Sequence, residues 1–168
     1  AGGAILVVHG PVYARYTADD AYISYRYAYN LSEGLGLVWN RGEHVEGYSN
    51  FLWVMMLAGA HRAGADIVLT GRWLGFAAGV AALALTYLLA RRLLDGESGR
   101  IAGFVAVVLL AASPPFGVWS SAGLEVPLFA LLLLGAVLLH LREQGDGSFG
   151  LSGAAWGLVS MTRPEGPL

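Results

Sequence analysis

Long uncharged runs separated by short charged joints set the plan of this chain. Trp73 to Ala90 is eighteen uncharged residues and Ile101 to Leu124 is twenty-four. Runs of that length read as membrane-crossing helices, because about 20 apolar residues rising ~1.5 Å each match a hydrocarbon core of ~30 Å. Val126 to Leu141 adds sixteen uncharged residues, and completes a third span if Leu124 joins it and Arg142 snorkels to the interface. Gly147 to Thr162 is another sixteen, diluted by Gly and Ser, and reads as a fourth. The pattern therefore predicts an all-α, polytopic transmembrane bundle. Its spans are residues 72–92, 101–120, 124–142 and 149–162, residues 1–13 form the end of an earlier span, and residues 14–71 form a long loop.

Within that loop, Gly47 to His61 is apolar but has only fifteen uncharged residues before Arg62. This length suits a helix lying in the membrane interface better than one crossing it. The distinction decides the topology, since each crossing flips everything downstream. Arg91, Arg92 and Arg100 form the densest basic cluster, which the positive-inside rule places in the cytoplasm. With Gly47 to His61 at the interface, the Asp19 segment, the Glu125 segment and the Arg163 segment all share the outer face.

Composition agrees with a membrane protein. Of 168 residues 56% are apolar and 13% charged, and the mean hydropathy is +0.57, far from the balance of soluble or disordered chains. All ten basic residues are scattered Arg and the net charge is −2, so there is no electrostatic footprint for nucleic acid. The absence of Cys removes disulfides, Cys-ligated zinc and thiol chemistry. A start without Met on an apolar run, and an end just after Pro167, lead to the expectation of a fragment of a longer protein.

Charge returns at Arg15, with eight charged residues through Glu46. Thr17 and Asp20 have the spacing of a capping box and Gly34 that of a helix end, which predicts a short helix between them. At 100° per residue, Asp19, Tyr22, Ile23, Arg26, Asn30 and Glu33 share a face. Acids at a helix N-terminus are held ionised by the dipole, either as simple caps or as proton acceptors and ligands of a hard cation. Glu125 interrupts some forty apolar residues directly before Val126 and Pro127. An ionisable group at the head of a span is either an N-terminal acid at headgroup level or a functional residue. Arg163 and Glu165 bracket Pro164 at the end of the last span, as an interfacial ion pair or as part of a site. The Tyr- and Trp-rich loop reads chiefly as an interface belt, with aromatic stacking on a sugar as a second reading.

Three strings carry a resemblance. The first runs from Asp19-Asp20-Ala21-Tyr22-Ile23-Ser24-Tyr25-Arg26-Tyr27-Ala28 through Val45-Glu46-Gly47-Tyr48-Ser49-Asn50-Phe51-Leu52-Trp53. The others are Ser121-Ala122-Gly123-Leu124-Glu125-Val126-Pro127 and Met161-Thr162-Arg163-Pro164-Glu165-Gly166. Together they resemble bacterial GT-C glycosyltransferases, most closely the subgroup around the terminal β-arabinofuranosyltransferases of cell-wall synthesis. The resemblance implies an inner-membrane enzyme, of which this chain is the N-terminal part, inactive by itself. Such an enzyme moves a sugar, here arabinofuranose, from a polyprenyl-phosphate donor to a glycan or lipid acceptor on the periplasmic face. It also implies Asp19 as catalytic base and Glu125 near the donor phosphate or a metal; Asp20, Arg26, Arg163 and Glu165 are further candidates for that phosphate or metal by their charge. Tyr22, Glu46, Tyr48 and Asn50 fall in the substrate loop, and Asp20 and Glu125 are the candidate ligands of a divalent cation (Mg, Mn or Ca).

The chemistry suits these residue types. A carboxylate can remove the acceptor hydroxyl's proton as that oxygen attacks the anomeric carbon, with inversion, while positive charge neutralises the departing phosphate. Two other readings remain open at this point: a non-catalytic transporter or flippase of lipid-linked glycans, and a mannosyl or aminoarabinosyl transferase of the same architecture.

Overall fold

The computed structural model describes residues 17–146 and 150–164; the expected first span over 1–13 and the candidate Glu165 lie outside them. Those residues form seven helices: α1 (Ala21–Ser32), α2 (Phe51–Arg62), α3 (Ile67–Leu93), α4 (Gly96–Ala112), α5 (Pro114–Ser121), α6 (Val126–Asp146) and α7 (Leu151–Thr162). Among the described residues there is no strand, only an isolated bridge between Asn40 and Glu43. The fold is all-α, as the run lengths predict.

Two helices, α3 and α6, are long and apolar enough to cross a membrane, and the α4–α5 pair makes a third if it counts as one span. The spans differ from expectation in informative ways. The helix expected from residue 72 begins at Ile67, because Asp66 caps it: the Asp66 carboxylate accepts from the Leu69 N–H at 2.8 Å, a contact worth ~1 kcal/mol. Counting from the last charge missed this start, since Arg72 lies inside the helix. The stretch expected as one span over 101–120 is bent by 66° between α4 and α5. Its cause is Ser113-Pro114-Pro115: a residue before proline is pushed out of the helical region, and Ser113 is extended at φ −69°, ψ 120°. Helix α7 has twelve residues and rises about 18 Å, short of a ~30 Å core. The same arithmetic applies to the twelve residues of α2, which cannot cross.

Helix α3 is the central post, touching α1, α2, α4, α5 and α6. It presents a stripe of small buried residues, Gly71, Gly75, Ala78, Gly79 and Ala82, that lets neighbours approach closely. A Cβ at Gly71 would sit 2.8 Å from the Tyr25 hydroxyl, and one at Gly75 would sit 3.1 Å from the Ser120 carbonyl. At the other end of α3, Arg92 donates to the Leu141 carbonyl of α6 at 3.3 Å. The Ser120–Val126 turn and the Arg91-Arg92 joint thus lie at opposite ends of the bundle, about 25 Å apart along α3. Helix α7 is tied to the Arg92 end: its N-cap is Gly150, without a side chain, and the Glu143 carboxylate substitutes by accepting from the Ser152 N–H at 2.9 Å and from its hydroxyl.

The Thr17–Asp20 capping box does not form. Residues 18–20 make a turn, Asp20 occupies the cap position with helical angles, and its side chain makes no capping bond. The buried side of α1 is Ala21, Ser24, Tyr25, Ala28 and Ser32, joined by Tyr27 and Asn30. Asn30 therefore leaves the exposed face on which its spacing had placed it, because its amide is drawn inward by the Val38 and Trp39 carbonyls. Tyr25 fastens α1 to the turn ahead of α6. Its hydroxyl donates to the Gly123 carbonyl at 3.2 Å, and the Ala18 N–H donates to the Ala122 carbonyl at 3.1 Å. Gly123 has φ +85°, and a Cβ there would lie 2.0 Å from the Tyr25 oxygen.

Gly123→Ala is accordingly expected to destabilise the chain by more than the ~1 kcal/mol that positive φ alone costs a non-glycine residue. Adding Tyr25→Phe should recover part of the loss, as followed by thermal unfolding in detergent; no recovery would show that the clash does not limit stability. Burial also pushes the Tyr25 phenol from 10.0 up to about 12. A group neutral in the fold at pH values where the unfolded chain ionises lends stability below its unfolded pKa, and that contribution disappears as pH rises through the folded one. Unfolding midpoints should fall between about pH 10 and pH 12, and Tyr25→Phe should flatten that decline.

Candidate functional site

At the Ser120–Val126 end of the bundle, four separated segments enclose a cavity of about 650 Å³. Helix α1 contributes Asp20, Ile23 and Ser24; the segment leading into α2 contributes Tyr48, Ser49 and Asn50; Trp119 and the 124–126 turn close a third side, and Arg163 follows α7. The sequence places residues 20, 50, 125 and 163 more than a hundred positions apart at the extremes. The fold makes them neighbours because α1 is clamped to the 122–123 turn and α7 ends beside α6.

Glu125 is the chemical centre. Its residue is 7% exposed, so a charge here must be matched by donors. Asn50 donates to Glu125 Oε2 at 2.8 Å, and Arg163 Nε stands 3.9 Å from Oε1. The same Asn50 amide group meets the Ser24 hydroxyl: Nδ2 lies 2.9 Å from Ser24 Oγ, and that hydroxyl reaches Asn50 Oδ1 at 3.2 Å. Ser24, Asn50 and Glu125 thus form one buried polar line joining α1, α2 and α6. Asn50 occupies the N-cap position of α2 yet makes no capping bond; its amide is engaged by the site instead, forgoing ~1 kcal/mol of helix capping. The Arg163 guanidinium also lies 5.9 Å from the Phe129 ring centroid, within cation–π range.

Asp20 borders the cavity, exposed and at the α1 N-terminus. Asp19 does not: it is exposed, its Oδ1 accepts from the Asp20 N–H at 3.2 Å, and it is absent from the cavity wall. Tyr22, 54% exposed, stands edge-on to Tyr25 at 5.5 Å, outside the cavity. Arg26 also lies outside it, its Nε donating to the Trp39 carbonyl at 3.1 Å. Glu46 is exposed and lines no part of the wall. Tyr48 does line it, packed on Tyr27 with centroids 4.8 Å apart. Burial, with the Glu46 carboxylate and Tyr27 nearby, raises the Tyr48 phenol above its ordinary 10.0, so it serves as a neutral hydrogen-bonding group. The structure brings together Asp20, Tyr48, Asn50, Glu125 and Arg163, and leaves Asp19, Tyr22, Arg26 and Glu46 outside.

Ser24 and Trp119 are site residues that helix-face counting passed over. Ser24 had a readable signal, a hydroxyl inside the Ala21, Tyr25, Ala28 stripe, where a polar group needs a partner. Trp119 had none beyond its aromatic class. The cavity wall carries two carboxylates and one guanidinium. Among the described residues no three His, Cys, Asp or Glu side chains are grouped to hold a metal ion.

Removing the donor to a buried carboxylate costs about 1–3 kcal/mol. Asn50→Ala should therefore destabilise by that order in the wild-type background and by clearly less in Glu125→Gln, where the group left unpaired is neutral. A double-mutant cycle on detergent unfolding reads the coupling, and equal losses in both backgrounds would contradict it.

Comparison with family models, with curated proteins and with solved structures finds no match for the chain, so the reading of this cavity rests on its own residues and geometry.

Proposed function

We propose that this chain is the N-terminal part of a membrane glycosyltransferase of GT-C type, passing a sugar, arabinofuranose in the first instance, from a polyprenyl-phosphate donor to an envelope glycan or lipid. The observation that carries the reading is the convergence of Asp20, Asn50, Glu125 and Arg163 on one cavity at one end of an apolar helical bundle. A carboxylate base, a second carboxylate held by an amide, and one guanidinium beside it for an anionic leaving group are parts that displacement at an anomeric carbon calls for. The resemblance to GT-C enzymes in the same three strings supports it.

In this reading Asp20, on the cavity wall, takes the proton from the acceptor hydroxyl as that oxygen bonds to the anomeric carbon. The bond to the phosphate oxygen breaks on the opposite face, giving inversion. Arg163 stands where the departing phosphate's charge develops. Asp20 and Glu125 also offer hard oxygen donors that fit Mg, Mn or Ca, with water and phosphate oxygens completing the shell; such an ion would neutralise phosphate charge. Asp19, the acid that the resemblance names as base, precedes Asp20 but lies off the cavity wall, so in this reading the proton-accepting role passes to Asp20.

The orientation follows from the opposite pole. Arg91, Arg92 and Arg100 lie at the joint between α3 and α4, and Arg142 is near the end of α6. On the positive-inside rule this reading has the cavity on the outer face, and the bacterial inner membrane is part of the proposal. A flippase would require its acids at mid-membrane, whereas Glu125 directly precedes α6.

Glu125→Gln and Asp20→Asn, made in the complete enzyme, are each expected to lower transfer by about a hundredfold or more with radiolabelled lipid donor. Asp19→Asn, off the cavity wall, should keep a larger share of turnover than Asp20→Asn, and the reverse ranking would return the base role to Asp19. Full turnover in both Asp20→Asn and Glu125→Gln would remove the cavity from the chemistry.

A further inference from the structure

A second cavity, of about 280 Å³, opens beside the first and is lined by Ile23, Tyr27, Trp39, Glu43, Val45 and Gly47. We infer that it is a saccharide-binding groove, holding a sugar unit of the acceptor next to the one that reacts; the inference deepens the transferase reading and rests on it.

The loop that builds the groove has no helix or strand, yet it is fixed from below at several points. Asn30 Nδ2 donates to the Val38 carbonyl at 2.7 Å and the Trp39 carbonyl at 3.0 Å, and Arg26 Nε donates to the same Trp39 carbonyl. The Tyr27 hydroxyl donates to the Val45 carbonyl at 2.7 Å and accepts from the Gly47 N–H at 3.0 Å. Asn40 Nδ2 donates to Glu43 Oε2 at 2.7 Å, within a turn closed by the Glu43 N–H on the Asn40 carbonyl. A loop this firmly anchored still leaves Trp39 40% exposed. The backbone is held while the indole is offered to a ligand, so little ordering remains to be done on binding.

The wall combines an aromatic face with a carboxylate. A sugar ring has C–H faces that suit the negative face of an indole and hydroxyls at its rim that donate to a carboxylate. A hydrocarbon chain would gain nothing from Glu43, and burying that charge against lipid would be costly. The placement points the same way. Ile23 lines both cavities. Tyr48 of the main cavity packs on Tyr27, which packs on Trp39 at 5.9 Å. A glycan with its reacting end beside Asp20 and Glu125 therefore has a continuous path over Ile23 to Trp39.

The test uses the chain in nanodiscs with its five tryptophans replaced by 5-fluorotryptophan, followed by fluorine NMR. An arabinofuranosyl trisaccharide is titrated, and a mannosyl trisaccharide is run alongside. The Trp39 signal is expected to move saturably with at least one of them. Trp39→Ala should weaken binding of that sugar about tenfold, the worth of one aromatic contact, and Glu43→Gln should weaken it several-fold. The fully buried Trp53 reports that each variant keeps its fold. Movement of the Trp119 signal alone, movement of no signal, or Trp39 responding to bilayer composition and not to sugar would overturn the groove. Sugar binding at Trp39 in a complete enzyme that shows no transfer with the lipid donor would reject the transferase reading and keep the groove. Transfer whose acceptor KM is unchanged by Trp39→Ala would do the reverse.

Discussion

A carboxylate removed from water cannot stand alone, and most of the arrangement around Glu125 follows from that constraint. Desolvating an unpaired charge costs several kcal/mol, so the fold must deliver donors to it from elsewhere in the chain. Asn50 arrives from the head of α2 and Arg163 from the tail of α7, and Ser24 on α1 completes the polar line behind Asn50. Those donors reach their positions only because Tyr25 and Ala18 hold α1 against the 122–123 turn and the small residues of α3 let both come close. The site is thus a product of packing, not of any local motif.

That origin explains what could be read in advance. The apolar runs announced α3 and α6 because run length against bilayer thickness is a one-dimensional quantity. The short apolar stretch ahead of Arg62 announced α2 for the same reason, being too brief to cross. Composition and periodicity are silent on the relation between Asp20, Asn50, Glu125 and Arg163, which lie on four separate segments and meet only through packing. Helix-face counting groups Asn30 with Asp19, Arg26 and Glu33 and takes no account of Ser24, because it reads one element at a time. Both are buried and satisfied by distant partners. Where helix ends depend on a cap or a proline, as at Asp66 and Ser113, counting charges misplaced the boundary, since neither event changes the charge pattern.

Two helix-start residues show how a site competes with its scaffold. Asp20 and Asn50 stand where a side chain ordinarily satisfies the first turn, and neither does so. Asn50 gives its amide to Glu125 and Ser24, and Asp20 borders open space. Stability lost at two helix starts is offset by burial of Trp53, Val54 and Leu57 in α2 and of Tyr25, Tyr27 and Ala28 in α1. The cavity is therefore closed on the side of the buried Ser24, Asn50 and Glu125 and open on the side of the exposed Asp20.

The break at Ser113-Pro114-Pro115 has a mechanical consequence. A continuous helix transmits rotation and tilt along its whole length, so a change at one end displaces side chains at the other. Across a 66° elbow that continuity is broken: α4 runs along α3, with Gly103 against the Tyr87 ring, while α5, which carries Trp119, takes a separate direction and packs on α3 and α6. The elbow thus lets one apolar stretch serve two packing directions, one along the length of α3 and one across the end where Trp119 borders the cavity.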